Sequence, residues 1–228
     1  MKTYYTSGTI GDTYVILCKL YSVAKREKIL CRHYTSYSAA CLIIKEIYSL
    51  LPNIDVEFRN KGDSFVNVRG TFQHETQEAE KSKYNLVPEY YPEFELYSVE
   101  HFELPKEYVV LQVEAGTALG KRRSRLSEKV ITEIQNNSSL PIVLIGTDNL
   151  KVQGRIVKDL RQKTTVKEVV KVIKDSKHFY GRAGFLSFVA LSQRVYSTVF
   201  VPPKCRIAVR ATVGVAEEWR KFYSKGDF

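Results

Sequence analysis

No stretch of this 228-residue chain approaches the roughly 18 to 20 uncharged apolar residues that a membrane-spanning helix needs. The chain also opens without a charged leader segment or a small-residue cleavage pattern, so a soluble, cytoplasmic protein is expected. Cysteine is scarce: Cys18, Cys31, Cys41 and Cys205 form no CxxC pair and no His/Cys zinc spacing. That fits buried thiols in a reducing compartment better than a disulfide scaffold or a zinc site. His33, His74, His101 and His178 lie far apart, which argues against a shared metal site, and no DxD pair is present. The third glycine of a dinucleotide fingerprint and the lysine of a P-loop are missing as well.

What is present suits a packed globular protein, with 44% hydrophobic and 26% charged residues. The net charge is +10 and unevenly spread. Residues 1–105 hold 12 Lys+Arg and 14 Asp+Glu, whereas residues 106–228 hold 23 and 11. Acid concentrates in 75–105, a proline- and tyrosine-bearing stretch with eight Asp+Glu and two Lys. The composition shift makes 75–105 an acidic linker closing a first domain at 1–105, followed by a basic domain at 106–228.

Both halves alternate strand-like and helix-like segments. In the first, TYYT, KILCRHYT, IDVEFRN and SFVNVRG read as strands, with helices over 12–26 and 36–51. In the second, EYVVLQVE, LPIVLIGT, HFYG and VYSTVFVP read as strands. Its helices are expected at SRLSEKVITEIQNN, NLKVQGRIVKDLRQ, TVKEVVKVIKDSK, GFLSFVALSQR and finally VAEEWRKFYSK, anchored by Trp219 and packing back toward the first domain. Strands separated by helix-length segments imply parallel βαβ units, and two such domains facing a cleft would bind ligand at the C-terminal ends of their strands.

Chemistry concentrates in three places. In SGTIGD, Gly8 and Gly11 permit a tight strand-to-helix turn with close approach to a ligand, and Asp12 sits at the helix start. Asp12 is either a first-turn cap stabilised by the helix dipole or a general base for an attacking hydroxyl. In EAGTALGKRRSRLSEK, Thr117 with Lys121, Arg122, Arg123 and Arg125 precedes a helix, forming either a pyrophosphate cradle or a solvated basic face. In YGRAGFLSFVALSQR, Arg182, Gly184 and Ser187 mark a glycine turn into a helix that meets phosphate or serves packing alone.

In order, these segments resemble the heptosyltransferase-type glycosyltransferases, family nine, of the two-domain GT-B fold. GTIGD is similar to their G-x-G-D start, YVVLQVEAGTALGKRRS to the opening strand and donor-phosphate loop of their second domain, and LPIVLIGTDN, with Gly146, to their next strand and turn. FYGRAGFLSFVALSQRVYSTVF resembles their D-S-G-x-x-H turn, helix and strand. The chain departs from that pattern at Arg182-Ala183-Gly184, where the family has Asp-Ser-Gly, and at Ser187, where the family histidine falls. The resemblance implies an α/β protein of two Rossmann-like domains with a reduced first domain, Asp12 as catalytic base, a nucleotide-sugar donor and no metal. Lys121, Arg122, Arg123 and the turn at Gly184 would stabilise the departing diphosphate.

The surplus positive charge suggests a polyanionic acceptor. Double-stranded DNA is favoured slightly, held by Arg125 and a basic helix carrying Lys151, Arg155, Lys158, Arg161 and Lys163. A hydroxylated base would then be the acceptor, as for DNA-modifying glycosyltransferases of bacteriophages, in the host cytoplasm if viral. A lipopolysaccharide-type saccharide acceptor is the alternative, and a non-catalytic nucleic-acid binder on a degenerate transferase fold is the reading from a different class.

Overall fold

A computed structural model describes residues 1–36, 38–60, 66–69, 86–115, 124–201 and 217–226. The chain divides into two compact units, Met1–Glu95 and Leu96–Phe228, each an α/β assembly on a parallel sheet. Among the described residues no helix is long and apolar enough to cross a membrane.

In the first unit, β1 (Lys2–Ser7), β2 (Ile29–Tyr34), β3 (Ile54–Phe58) and β4 (Val68–Arg69) form a four-stranded sheet in the order β3-β2-β1-β4. All its pairs are parallel, with Thr6 beside His33 and beside Val68. Helix α1 (Ile10–Ala24) links β1 to β2, and α2 (Cys41–Tyr48) links β2 to β3. From Thr13 to Leu20 every α1 residue is buried. This near-continuous burial has a local cause. The helix is enclosed not only by α2 but by the segment before Glu95, where Glu89 N–H donates to Cys18 O and the Phe94 ring meets Tyr14 and Tyr21 edge-on. Part of the acidic stretch therefore packs as a wall of this unit. Cys18 and Cys31 are buried thiols, and burial pushes the Cys31 thiol up.

The second unit holds a six-stranded parallel sheet, order β12-β11-β10-β5-β8-β9. Its strands are β5 (Val109–Gln112), β8 (Ile142–Ile145), β9 (Ile156–Asp159), β10 (His178–Arg182), β11 (Ser197–Phe200) and β12 (Tyr223–Gly226). A short antiparallel pair, β6 (Glu114–Ala115) with β7 (Ser124–Arg125), follows β5. VVLQ and IVLI are buried along their whole length, their apolar residues at the centre of a sheet covered on both faces and Gln112 the one polar residue among them. Helix α3 (Glu128–Asn137), capped by Ser127, returns the chain from β7 to β8. It packs Val130, Ile131 and Ile134 onto Val109, Leu111, Ile142 and Leu144. Helices α4 (Val166–Lys174) and α5 (Phe185–Ser192) precede and follow β10.

Two expected helices are replaced. NLKVQGRIVKDLRQ contains no helix: after an irregular segment, Ile156–Asp159 pairs in parallel with β8 as an edge strand. Gly154 explains the switch, because it adopts φ +105° and a side chain there would collide with Gln135 Oε1. The β-branched Ile156 and Val157 then suit a strand. At the C-terminal end, helix α6 is only Glu217–Arg220, and β12 pairs with β11 to complete the sheet of its own unit. Trp219 is fully buried beside Phe188, an anchor for this turn as its size suggests. Of the strand expected at SFVNVRG, only Val68–Arg69 is strand within the described residues.

Candidate functional site

In the first unit the chain leaves β1 at Ser7 and turns through Gly8 into α1. Gly8 holds φ +144°, and a Cβ there would lie 2.4 Å from Asp12 Cβ, so only glycine admits the aspartate so close to the strand end. Gly11 falls in the first turn of α1, half-buried. Thr9 is the N-cap, and Asp12 Oδ2 accepts hydrogen bonds from the Thr9 amide at 2.8 Å and the Thr9 hydroxyl at 2.9 Å. The capping reading of Asp12 is thus present in the geometry, and the same arrangement recurs at the start of α4, where Glu168 accepts from Thr165. Capping uses one oxygen. Asp12 Oδ1 has no partner among the described residues, so one lone-pair-bearing face of a partly exposed carboxylate is left over.

Beneath this turn lies a residue that sequence reading did not single out for the site. His33, at the end of β2, is completely buried. Its Nδ1 lies 2.8 Å from Thr6 Oγ1 and 3.1 Å from Tyr48 Oη, and its Nε2 lies 3.3 Å from Gly8 O. A carbonyl only accepts, so Nε2 carries the proton and Nδ1 accepts from the hydroxyls. Burial, opposed by the bond to Gly8 and assisted by nearby Arg59, lowers the imidazole pKa to about 4. Burial likewise holds Tyr48 as the neutral phenol. Arg59, from the end of β3, donates to Thr6 O and lies over the Tyr5 ring. The sequence carried no sign of this, since only the parallel register Thr6↔His33 brings a β2 residue beside the end of β1.

In the second unit the chain runs from β5 to β8 on one side and from β10 to β11 on the other, so the C-terminal ends of β5 and β10 flank a topological switch point. Gln112 ends β5, and Arg182 ends β10 with 2% exposure. Gly184 then opens α5, and a Cβ there would meet nothing within 4 Å, so the space before the helix start is open. Ser187 Oγ is occupied locally, accepting from Gly184 N–H and donating to Gly184 O. Two buried acceptors at this sheet end, Gln112 Oε1 and Asp148 Oδ2, have no hydrogen-bond partner among the described residues. They flank Gly146, φ +126°, whose Cβ position is 3.4 Å from Asp148 Oδ2 and 3.9 Å from Gln112 Cγ. The other Asp148 oxygen accepts from Arg161 Nη1 at 2.7 Å, and the Arg161 fork also grips Asp159 at 2.9 and 2.6 Å. Hydrogen bonding to Asp159 pushes the guanidinium pKa up, and the same contact lowers that of Asp159.

The remaining expected residues separate. Thr117, Lys121, Arg122 and Arg123 lie outside the described residues. Arg125 sits in β7 opposite Glu114 and near Glu128. The phosphate-tracking face of Lys151, Arg155 and Lys158 does not exist, because its helix does not. Arg155 is exposed and is engaged locally, donating to Gln135 O and Ser138 O at the end of α3, while Lys158 pairs with Glu103. Lys163 donates to Asp159 O, and Lys151 is exposed.

No protein-family model and no curated protein matches the chain. Solved structures do. Escherichia coli ADP-heptose lipopolysaccharide heptosyltransferase II aligns over 100% of this chain and 91% of its own, at 11% identity and TM-score 0.59. A family 9 glycosyl transferase from Veillonella parvula aligns over 90% and 81%, at 8% identity and TM-score 0.57. TibC, an iron-containing dodecameric glycosyltransferase from enterotoxigenic E. coli, aligns over 87% of this chain but 57% of its own, at 13% identity and TM-score 0.51. The chain therefore spans less than two thirds of TibC. These are likenesses of fold alone: the chain shares a parallel α/β fold with heptosyltransferases and a family 9 glycosyl transferase. Among the described residues no group of three His, Cys, Asp or Glu side chains could hold a metal ion.

Proposed function

We propose that the protein is a metal-independent glycosyltransferase that moves a sugar from a nucleoside-diphosphate donor to a hydroxyl of an anionic saccharide. The observation that carries this reading is the carboxylate of Asp12, held on a glycine turn at the end of β1 in a chain whose fold aligns with heptosyltransferases. Thr9 fixes Oδ2, which leaves Oδ1 to take the proton of the acceptor hydroxyl. The acceptor oxygen bonds to the anomeric carbon as the bond from that carbon to the diphosphate oxygen breaks, and the diphosphate leaves with the electron pair.

The second unit holds the donor. Its switch point offers the open start of α5 at Gly184 and the buried cation Arg182 for the phosphates, and the family resemblance assigns the same task to the cations Lys121, Arg122 and Arg123 and to Thr117, which lie outside the described residues. Gln112 Oε1 and Asp148 Oδ2, buried and without a donor among the described residues, accept from hydroxyls of the nucleotide sugar beside Gly146. These cations take the place of a divalent ion. TibC has been crystallised with ADP-D-beta-D-heptose and a heptosyltransferase, WaaC, with ADP, which makes ADP-heptose the first donor to test.

The excess of basic residues in the second half supports an anionic acceptor. Loss of the basic helix removes the main argument for DNA, so a saccharide is the favoured class and hydroxymethylated DNA a control. The test is a thermal-shift screen with ADP-, UDP-, GDP- and CMP-sugars, followed by nucleotide release with an anionic core saccharide or with DNA. Stabilisation by ADP-heptose and ADP release with the saccharide support the proposal. No response to any nucleotide sugar overturns it, and binding to DNA without turnover identifies a non-catalytic binder.

A further inference from the structure

The Gly8–Thr9 peptide group is engaged at both ends. Its carbonyl lies 3.3 Å from His33 Nε2, and its N–H donates to Asp12 Oδ2 at 2.8 Å. One rigid amide thus joins a buried imidazole to the partly exposed carboxylate, in the order imidazole N–H, carbonyl, amide N–H, carboxylate. We propose that His33 is a positioning residue for Asp12, acting through this peptide group, and the inference rests on Asp12 being the base.

Planarity and polarisation give the physical reason. The amide is planar, so fixing the direction of its carbonyl fixes the direction of its N–H. A donor on the carbonyl draws electron density toward oxygen and makes the N–H a stronger donor, as in other hydrogen-bond chains in a low dielectric. The imidazole itself is held by the Thr6 and Tyr48 hydroxyls, which lie 3.1 Å from each other and close a buried triangle with Nδ1. With its pKa lowered to about 4, His33 stays neutral through the physiological range and keeps its Nε2 proton on Gly8. Gly8 N–H is anchored too, donating to Tyr34 O at 3.1 Å. The matching box at Thr165 and Glu168 lacks this backing, because no side chain donates to the Thr164 carbonyl among the described residues. That makes α4 an internal control.

The experiment is amide NMR of the full-length labelled chain, paired with ADP release from ADP-D-beta-D-heptose. Asp12→Asn gives the Thr9 amide proton position when the charged acceptor is gone. His33→Leu should move the Thr9 resonance upfield, toward that position, and leave Thr165 where it is. His33→Gln, whose amide nitrogen occupies the place of Nε2, should restore it. In turnover, His33→Leu should lower kcat about 10-fold with the donor KM unchanged, and His33→Gln should recover most of the loss. If the leucine variant does not fold, His33→Asn decides the matter, since its shorter side chain meets Thr6 and Tyr48 without reaching Gly8. A Thr9 resonance unmoved in the folded leucine or asparagine variant overturns the proposal. Normal turnover by Asp12→Asn would instead defeat the base assignment, while the Thr9 shifts would still decide whether His33 acts on the carboxylate.

Discussion

At the scale of single residues, Asp12 shows how one side chain satisfies two readings. Its Oδ2 does the work of a cap, as Glu168 does for another helix, and what sets Asp12 apart is the glycine before it and the imidazole behind it. The glycine turn and the acid were legible in SGTIGD because both are local. His33 was not, since its partners Thr6 and Tyr48 are separated from it by 27 and 15 residues and meet it only once the sheet is formed. Gly8→Ala should cost about 1–3 kcal/mol, because it combines a positive φ with a Cβ clash against Asp12, and chemical denaturation will measure it. His33 also gives a pH signature. Its folded pKa lies near 4, below the usual 6.5, so the unfolded chain binds the extra proton between those values. Stability is full above about pH 6.5 and falls as pH drops toward 4. Between pH 7 and pH 5 the loss should be about 2 kcal/mol, and His33→Gln should flatten that part of the profile in urea titrations.

At the scale of elements, the buried strands were readable because VVL, before Gln112, and IVLI have no polar face to present. The error over 149–162 came from charge spacing. Lys151, Arg155 and Lys158 fit a helical repeat, as do Val152, Ile156 and Leu160, yet Gly154 followed by the β-branched Ile156 and Val157 favours the strand. Tertiary pairing with β8 decided the outcome. One basic residue of this segment has an interior role instead. Arg161 ties Asp148, on the loop after β8, to Asp159 at the end of β9, and also donates to Leu150 O. Its side chain is 10% exposed and that of Asp148 is 2%. Arg161→Met should therefore destabilise the protein by about 3 kcal/mol, since it strands a buried carboxylate. Adding Asp148→Asn should recover part of the loss, a comparison that a double-mutant cycle by thermal unfolding will make.

At the scale of the whole molecule, alternation of strands and helices revealed the α/β class, and the order of short motifs pointed to the transferase fold that the structural likenesses bear out. The charge imbalance was also plain in the sequence, but its arrangement was not, because whether a lysine tracks phosphate or pairs with Glu103 depends on the element that carries it. The account predicts that turnover persists in the presence of EDTA, measured as nucleotide release, because protein cations balance the leaving diphosphate. It predicts too that the donor alone raises the unfolding temperature, since its phosphates and hydroxyls meet groups of the second unit. The most direct measurement is ADP release from ADP-D-beta-D-heptose by the wild-type chain and by Asp12→Asn, with an anionic core saccharide as acceptor. The account predicts that the variant folds, is stabilised by the donor as the wild type is, and loses turnover by about 100-fold or more. Wild-type rates in the folded variant would contradict it.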